Sequence, residues 1–208
     1  MVMPLFHVRH ILTKEEKKSN IRKNIIEASE IYSKNLAGKV FLYIYGNEFF
    51  EVSFPVNRFL HLTGVNTLLN AKEFYKRARK SELTNKQFFF DSRHTYHNSK
   101  NKLPCLQRLP ELTNKEVCIL RDTHTATITY KLSVTNLEFT LGLVESDTPN
   151  VFLPMTLRVN DSSVERSGGG EVVDFILSKD ASEATYGLML VKDTRKSIPQ
   201  KIKHLLSL

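Results

Sequence analysis

The spacing of apolar residues changes once along this chain, near residue 113, and that change constrains the fold more than any other feature. Upstream, apolar side chains recur at helical spacing; downstream they alternate. The downstream runs are Lys115 to Arg121, Thr125 to Ser133, Leu137 to Val144, Val151 to Val159, Glu171 to Leu177 and Tyr186 to Val191, with turn residues between them. Their spacing predicts an antiparallel meander. Upstream, Thr13 with Glu16 three residues later forms a capping box ahead of Ile21, Ile25, Ala28 and Tyr32, which predicts an amphipathic helix from Thr13 to Leu36 ended at Gly38. Lys39 to Tyr45 and Phe49 to Phe54 flank Gly46-Asn47, a hairpin signal. Short helices are expected at Asn57 to Val65, at Asn70 to Lys80, and at Leu103 to Leu112 between Pro104 and Pro110. Helices first and strands afterwards describe an α+β fold, with N-terminal helices and a hairpin packed on an antiparallel multi-stranded sheet. The expected divisions are an N-terminal helical arm at 1–36, a main domain at 37–191 with a basic loop at 72–108, and a basic tail at 192–208 holding a frayed helix through Ile202, Leu205 and Leu206.

Several function classes drop out on composition. With 41% hydrophobic residues a packed core is affordable, and no apolar stretch is long enough to span a bilayer. Met1 to Leu12 is too short and too polar for a signal peptide, so a soluble, intracellular protein is expected. The two cysteines, Cys105 and Cys118, have no partners at zinc-site spacing and read as small buried hydrophobes. There is no GxGxxG, Walker or HExxH motif, so neither a cofactor nor a metal is expected. Gly168-Gly169-Gly170 precedes a strand pattern and reads as a hairpin tip, since a phosphate cradle would need a helix start behind it.

Charge is distributed unevenly. The chain carries 30 basic and 22 acidic residues, a formal +8 that favours a polyanionic partner. Between Lys72 and Arg108 there are ten basic and three acidic residues, which accounts for nearly all of the excess. Lys72, Lys76, Arg77, Arg79, Lys80, Arg93, Lys100 and Lys102 are the candidate RNA contacts. Phe88, Phe89, Phe90, His94, Tyr96 and His97 are interleaved with them, as stacking on an unpaired strand would require. The competing reading is a solvated helix face beside a hydrophobic anchor.

Histidines stand at positions 7, 10, 61, 94, 97, 124 and 204. One well-placed histidine with cationic and hydroxyl groups can cleave RNA without a metal: a base takes the ribose 2′-OH proton, a cation offsets charge at phosphorus, and an acid protonates the leaving 5′ oxygen. His61 lies in Phe59-Leu60-His61-Leu62-Thr63-Gly64, where composition alone reads it as a core residue. The longer run from Phe49 through Pro55, Arg58, His61 and Gly64 to Val65, followed by Ala71-Lys72-Glu73-Phe74-Tyr75, resembles the signature of the phage-borne barnase, EndoU, colicin E5/D and RelE-like nuclease families, nearest the fourth phage group. Val151 to Arg158 is similar to the family's strand with a proline two residues before a serine or threonine; threonine stands here at 156.

The resemblance implies a BECR-like nuclease domain over 37–191 acting as a metal-independent RNase. It implies that His61 is the general base or acid and Thr156 the hydroxyl that orients a phosphate oxygen. Arg158, two residues further on the same sheet face, would supply positive charge, with Tyr186 and Lys179 as weaker candidates. His94 and His97 read as phosphate contacts or solvated side chains, Thr123-His124-Thr125 as a turn, and Thr63-Gly64 as a helix end. Two functions follow. One is RNA cleavage by 2′-OH transesterification, serving a phage or mobile element against its host or a host defence system in the host cytoplasm. The other is a non-catalytic inhibitor that binds a host ribonucleoprotein, such as a CRISPR effector with its guide RNA, with guide truncation as the mixed case. The expected partners are therefore RNA, a guide RNA or tRNA among them, and a ribonucleoprotein or nuclease effector, with no membrane.

Overall fold

A computed structural model describes residues 12–125, 128–159, 163 and 165–207. His7, His10 and the rest of the 1–11 segment lie outside the described residues, as do Ala126 and Thr127 near the start of the second predicted strand.

The helical half begins as the capping box dictates. In α1 (Lys14–Asn35) the Thr13 hydroxyl accepts the Glu16 N–H at 3.2 Å, and the Glu16 carboxylate accepts the Thr13 N–H at 2.7 Å. Its buried stripe of Ile21, Ile25, Ala28 and Tyr32 joins the main core. The hairpin follows as β1 (Lys39–Tyr45) and β2 (Glu48–Ser53). A 3-10 turn at Val56–Arg58 runs into α2 (Phe59–Thr63), which Gly64 ends in the left-handed region at φ 75°. Then come β3 (Asn66–Thr67), α3 (Ala71–Arg79) and β4 (Phe88–Phe89), with β3 and β4 paired.

Two expectations for the basic segment are corrected here. The helix predicted at Leu103 to Leu112 is two helices, α4 (Tyr96–Gln107) and α5 (Glu111–Asn114). Thr95 caps α4 by accepting the Asn98 N–H, and the helix carries Pro104 inside it because Ser99, Leu103 and Leu106 bury one face. The supposed loop at 72–108 thus contains nearly all of α3, the strand β4 and the whole of α4. Three of its aromatic rings form an anchor: Phe88 is fully buried, and Phe90 packs edge-on against both Phe88 and Tyr96. From α1, the ammonium groups of Lys17 and Lys18 sit over Tyr96 and Phe88.

The strand half is β5 (Cys118–His124), β6 (Thr129–Thr135), β7 (Phe139–Glu145), β8 (Val151–Val159), β9 (Gly170–Val172), β10 (Phe175–Asp180) and β11 (Leu188–Lys192). Among the described residues the main sheet runs β11-β10-β1-β2-β8-β7-β6-β5-β9. Its pairings are antiparallel except for β2 with β8. The run predicted as one strand, Glu171 to Leu177, is split between β9 and β10 at Val173-Asp174. There the Val173 N–H donates to Val117 and the Asp174 N–H to Ile44. The two ends of the sheet consequently share one stretch of chain, which curls the sheet almost closed.

The helices and one face of the sheet enclose the main core, built on rings such as Tyr32, Phe54, Phe59 and Phe74. A second cluster on the other face of β1 joins Leu42, Ile44, Phe175, Leu177 and Tyr186 to Ile202 of the 3-10 turn Gln200–Leu205. No helix among the described residues is long and apolar enough to cross a membrane.

Candidate active site

Pro154 interrupts β8 because it has no N–H for the ladder, and the register shifts there. Thr156 pairs with Gly142 and Pro154 with Leu143, so Met155 is an extra residue in a bulge. The burial pattern records the switch: Phe152 and Pro154 point inward before it and Leu157 after it. Thr156 and Arg158 are thereby turned toward α2 and α4. Gly142 makes room for this, since a β-carbon there would stand 2.9 Å from the Thr156 methyl and 3.3 Å from the Tyr130 ring.

A cleft of about 420 Å³ opens between these elements, and His61, Arg93, His94, Lys102, Tyr130 and Thr156 are among the residues that line it. His61 stands near the end of α2 with its side chain reaching the surface. Partial desolvation, then the Arg58 guanidinium and then His94, lower its pKa below the ordinary imidazole value. His61 is therefore neutral at pH 7 and able to accept a proton.

His94 lies between β4 and α4 and is held by a carboxylate. Its Nδ1 is 3.1 Å from Oδ1 of Asp91, and its backbone N–H donates to the same oxygen at 2.7 Å. Asp91 also accepts from the Asn66 side-chain amide at 2.8 Å and from the Arg93 N–H at 2.8 Å. These donors, the Asn66 amide foremost, keep its pKa well below the usual carboxylate range. An ionised carboxylate can only accept, so Nδ1 of His94 carries the hydrogen and Nε2 is the nitrogen left for chemistry.

Lys102 of α4 occupies the middle of the site. Its aliphatic stem lies against Gly64, whose absent β-carbon would stand 3.1 Å from Lys102 Cδ, and the Gly64 carbonyl accepts from the buried Ser99 hydroxyl at 2.8 Å. Desolvation first, and Arg158 second, lower the Lys102 pKa. A neighbouring hollow of about 320 Å³ shares Asn98, Lys102 and Thr156 with the cleft and adds Asn101 and Arg158. No carboxylate among the described residues lines either space.

Of the residues expected from sequence, His61, Thr156, Arg93 and Lys102 come together in the cleft, and Arg158 lines the adjoining hollow. Lys100 is exposed on α4 but lines neither space; Lys72, Lys76, Arg77, Arg79 and Lys80 lie on or next to α3, also outside both. Arg77 is tied to Glu73 at 2.8 Å. Lys179 and Tyr186 are placed elsewhere: Tyr186 is fully buried in the second cluster, its hydroxyl donates to Glu51, and the Lys179 ammonium sits over its ring. Sequence reasoning missed Asp91, Asn66 and Arg58. Among the described residues no group of three or more His, Cys, Asp or Glu side chains stands close enough to hold a metal ion.

Comparison with known proteins bears on this arrangement. No curated protein and no solved structure matches the chain. The family described as phage-Barnase-EndoU-ColicinE5/D-RelE like nuclease4 does match, over residues 24–194, a span that takes in most of α1, the whole histidine cleft and every strand of the sheet. The chain belongs to that nuclease family.

Proposed function

We propose that the protein is a metal-independent endoribonuclease that cleaves RNA by 2′-OH transesterification. The observation that carries this reading is that two unlike histidines line one cleft, with no carboxylate among the described residues in its lining: His61, kept neutral, and His94, oriented through Nδ1 by Asp91 from behind the ring. His61 takes the proton from the ribose 2′-OH. That oxygen attacks the adjacent phosphorus, and the P–O5′ bond breaks as Nε2 of protonated His94 gives its proton to the leaving oxygen. The products are a 2′,3′-cyclic phosphate and a free 5′-OH, and the protons balance between the two rings. The Thr156 hydroxyl donates to a non-bridging oxygen, and the Lys102 ammonium offsets charge on the pentacoordinate phosphorus. Asp91 acts as counter-charge while His94 is an imidazolium, a positioning role through the ring.

The test is incubation with RNA in EDTA, followed by analysis of the ends. Cyclic phosphate termini are expected from the wild-type chain. His61→Ala and His94→Ala should each lose about 10²–10⁴-fold in rate, with unchanged circular dichroism. Full activity in His61→Ala would remove the assignment.

The word phage in the family's description supports a setting in a phage or mobile element; that the RNA belongs to a host cell or to its defence system is part of the same proposal. A second reading has its own support: Lys72, Lys76 and Lys80 present an exposed basic face outside the cleft. In that reading the scaffold binds a host ribonucleoprotein, such as a CRISPR effector with its guide, and blocks it without chemistry. Charge reversal at Lys72, Lys76 and Lys80 would then abolish inhibition, whereas His61→Ala would not.

A further inference from the structure

The anchor in the basic segment leaves one aromatic ring unused. Along Phe88-Phe89-Phe90 the strand period sends alternate side chains to opposite faces. Phe88 is fully buried and Phe90 packs on it, whereas Phe89 is half-buried on the other side. Among the described residues Phe89 is the only phenylalanine that is neither part of the two hydrophobic clusters nor packed against one of them. It also makes no contact there with another ring or with a cation, unlike Phe88, which lies under the Lys18 ammonium. A ring left partly in water forgoes much of the burial energy of a phenylalanine, so the core gives no account of this one.

Strand register places the ring beside the cleft. Phe89 pairs directly with Asn66 of β3, and opposed residues of an antiparallel pair share a face, with β-carbons about 4.5–5.5 Å apart. Asn66 lines the cleft, and its amide donates to Asp91, the carboxylate that holds His94. The ring therefore stands on the face of the ribbon that supports His94. The same cleft offers the cations Arg93 and Lys102, and no carboxylate among the described residues lines it. A flat apolar ring next to a cationic cleft matches a nucleotide, which brings a phosphate for the cations and a base for the ring. An apolar peptide would match the ring alone.

We infer that Phe89 is a stacking platform for the base of the downstream nucleoside, the one whose 5′ oxygen leaves. This inference rests on the nuclease reading, in which His94 is the acid at that oxygen. The ligand class is a single RNA strand with an unpaired base on the 3′ side of the scissile phosphate. A base inside a duplex has both faces covered by its neighbours and cannot lie on the ring. Phe89 touches the base and not the reacting atoms, so it is a binding residue that holds the leaving nucleoside in place. Because every base has a π-face, the platform tolerates all four.

The test uses dinucleoside monophosphates, whose single phosphate fixes which base lies on which side of the site. The 2′-deoxy form cannot be cleaved, so calorimetric titration reads its binding apart from catalysis. For the wild-type chain, a probe with an abasic downstream sugar should bind about 5- to 150-fold more weakly than the complete one, the range for stacking one base on an aromatic side chain. Phe89→Leu keeps apolar bulk but no flat ring. It should weaken the complete probe by at least about fivefold and the downstream-abasic probe by less than about twofold, as a double-mutant cycle on one contact requires. A probe that lacks the upstream base should still respond to Phe89→Leu. Phe89→Trp, which restores a flat ring, should restore the step between the complete and the downstream-abasic probes.

A wild-type chain indifferent to the downstream base, or a step that survives Phe89→Leu, would overturn the platform. So would a Phe89→Leu loss of equal size on the complete and downstream-abasic probes, which would show that the ring only supports the loop carrying Asp91 and His94. A loss tied to the upstream base would overturn the assignment of the side. Parallel assay of the ribonucleotide form separates the two claims. Cleavage with no base step leaves the nuclease reading standing and removes the platform; an intact step with no cleavage of any RNA leaves the base contact standing and removes the nuclease.

Discussion

His61 differs from a free imidazole through its neighbours, and each neighbour can be removed. Part of its lowered pKa comes from desolvation, part from the Arg58 guanidinium and part from His94. Arg58→Gln should therefore raise the His61 pKa toward the ordinary value, read from the ring proton shift across pH 4 to 8. The acid limb of kcat/KM should move up with it, while His61 in the wild-type chain titrates below a histidine in an unfolded peptide. The sign for stability follows. Because the folded chain binds this proton less readily than the unfolded one, the contribution is complete above the ordinary histidine pKa and is lost as pH falls through the folded value. His94 depends on a different neighbour. Asp91→Asn leaves a side chain of the same shape that no longer has to accept from Nδ1, so the ring loses its fixed orientation. The expected result is a fall in kcat of about 10–100-fold, the usual effect of losing an orienting partner, with KM little changed. An unaltered kcat would show that Asp91 serves only the loop. At this scale the family resemblance singled out His61 and Thr156, and the structure places both on one cleft. The sequence offered His94 only as a stacking group, a phosphate contact or a solvated side chain, because the Asp91 carboxylate that holds its ring is itself fixed by Asn66, 25 residues earlier.

Secondary elements aim these residues, and β8 shows how. Its proline was visible in the sequence, but the effect of that proline was not: an alternating pattern read straight through Val151 to Val159 carries no sign of the extra residue at Met155. The same limit applies to the segment before α4. Its charges and rings suggested an exposed loop, yet Phe88 is buried beneath α1, and Lys18 donates to the Asn85 carbonyl at 2.8 Å while Ser19 is 3.0 Å from the Asn85 amide. Those contacts cross more than 60 residues of chain, beyond what local periodicity encodes. The helical capping box and the hairpin at Gly46-Asn47 were legible because their hydrogen bonds are local. The bulge makes a prediction at Gly142. A methyl group there would meet the Thr156 methyl at 2.9 Å and the Tyr130 ring at 3.3 Å, so Thr156 must move. Gly142→Ala should cost about 1–3 kcal/mol in urea unfolding, as overpacking does, and should lower kcat/KM beyond what the stability loss explains. Gly168→Ala is the control, since its β-carbon would come no nearer than 3.9 Å to the Arg121 carbonyl oxygen.

Across the whole molecule, the curl of the sheet determines whether the cleft has two walls. The closure runs through Asp174, whose carboxylate is almost fully buried at the point where β9 passes into β10. One oxygen accepts the Gly46 N–H of the hairpin at 2.8 Å, and the other accepts from Lys196 at 2.6 Å. The Asp174 carbonyl accepts the Asp193 N–H at 2.8 Å as well. One residue thus joins the β1–β2 hairpin, the split strand and the chain after β11. Neither the split nor the join could be read from Glu171 to Leu177, which has an unbroken strand composition. Removing the carboxylate leaves the Gly46 N–H without its acceptor and Lys196 without its counter-charge, so Asp174→Ala should destabilise by about 3 kcal/mol, the range for breaking a buried charged contact. Lys196→Ala should cost less, because the ammonium is half exposed and water screens what it contributes. Lys201→Ala, which removes the exposed and longer pair with Glu48 at 3.4 Å, should change stability by less than about 0.5 kcal/mol. Urea denaturation of the three variants orders them. If Asp174→Ala unfolded no more easily than Lys201→Ala, the closure would be held by strand pairing alone, and the buried carboxylate would have no part in bringing β8 round to face α2 and α4.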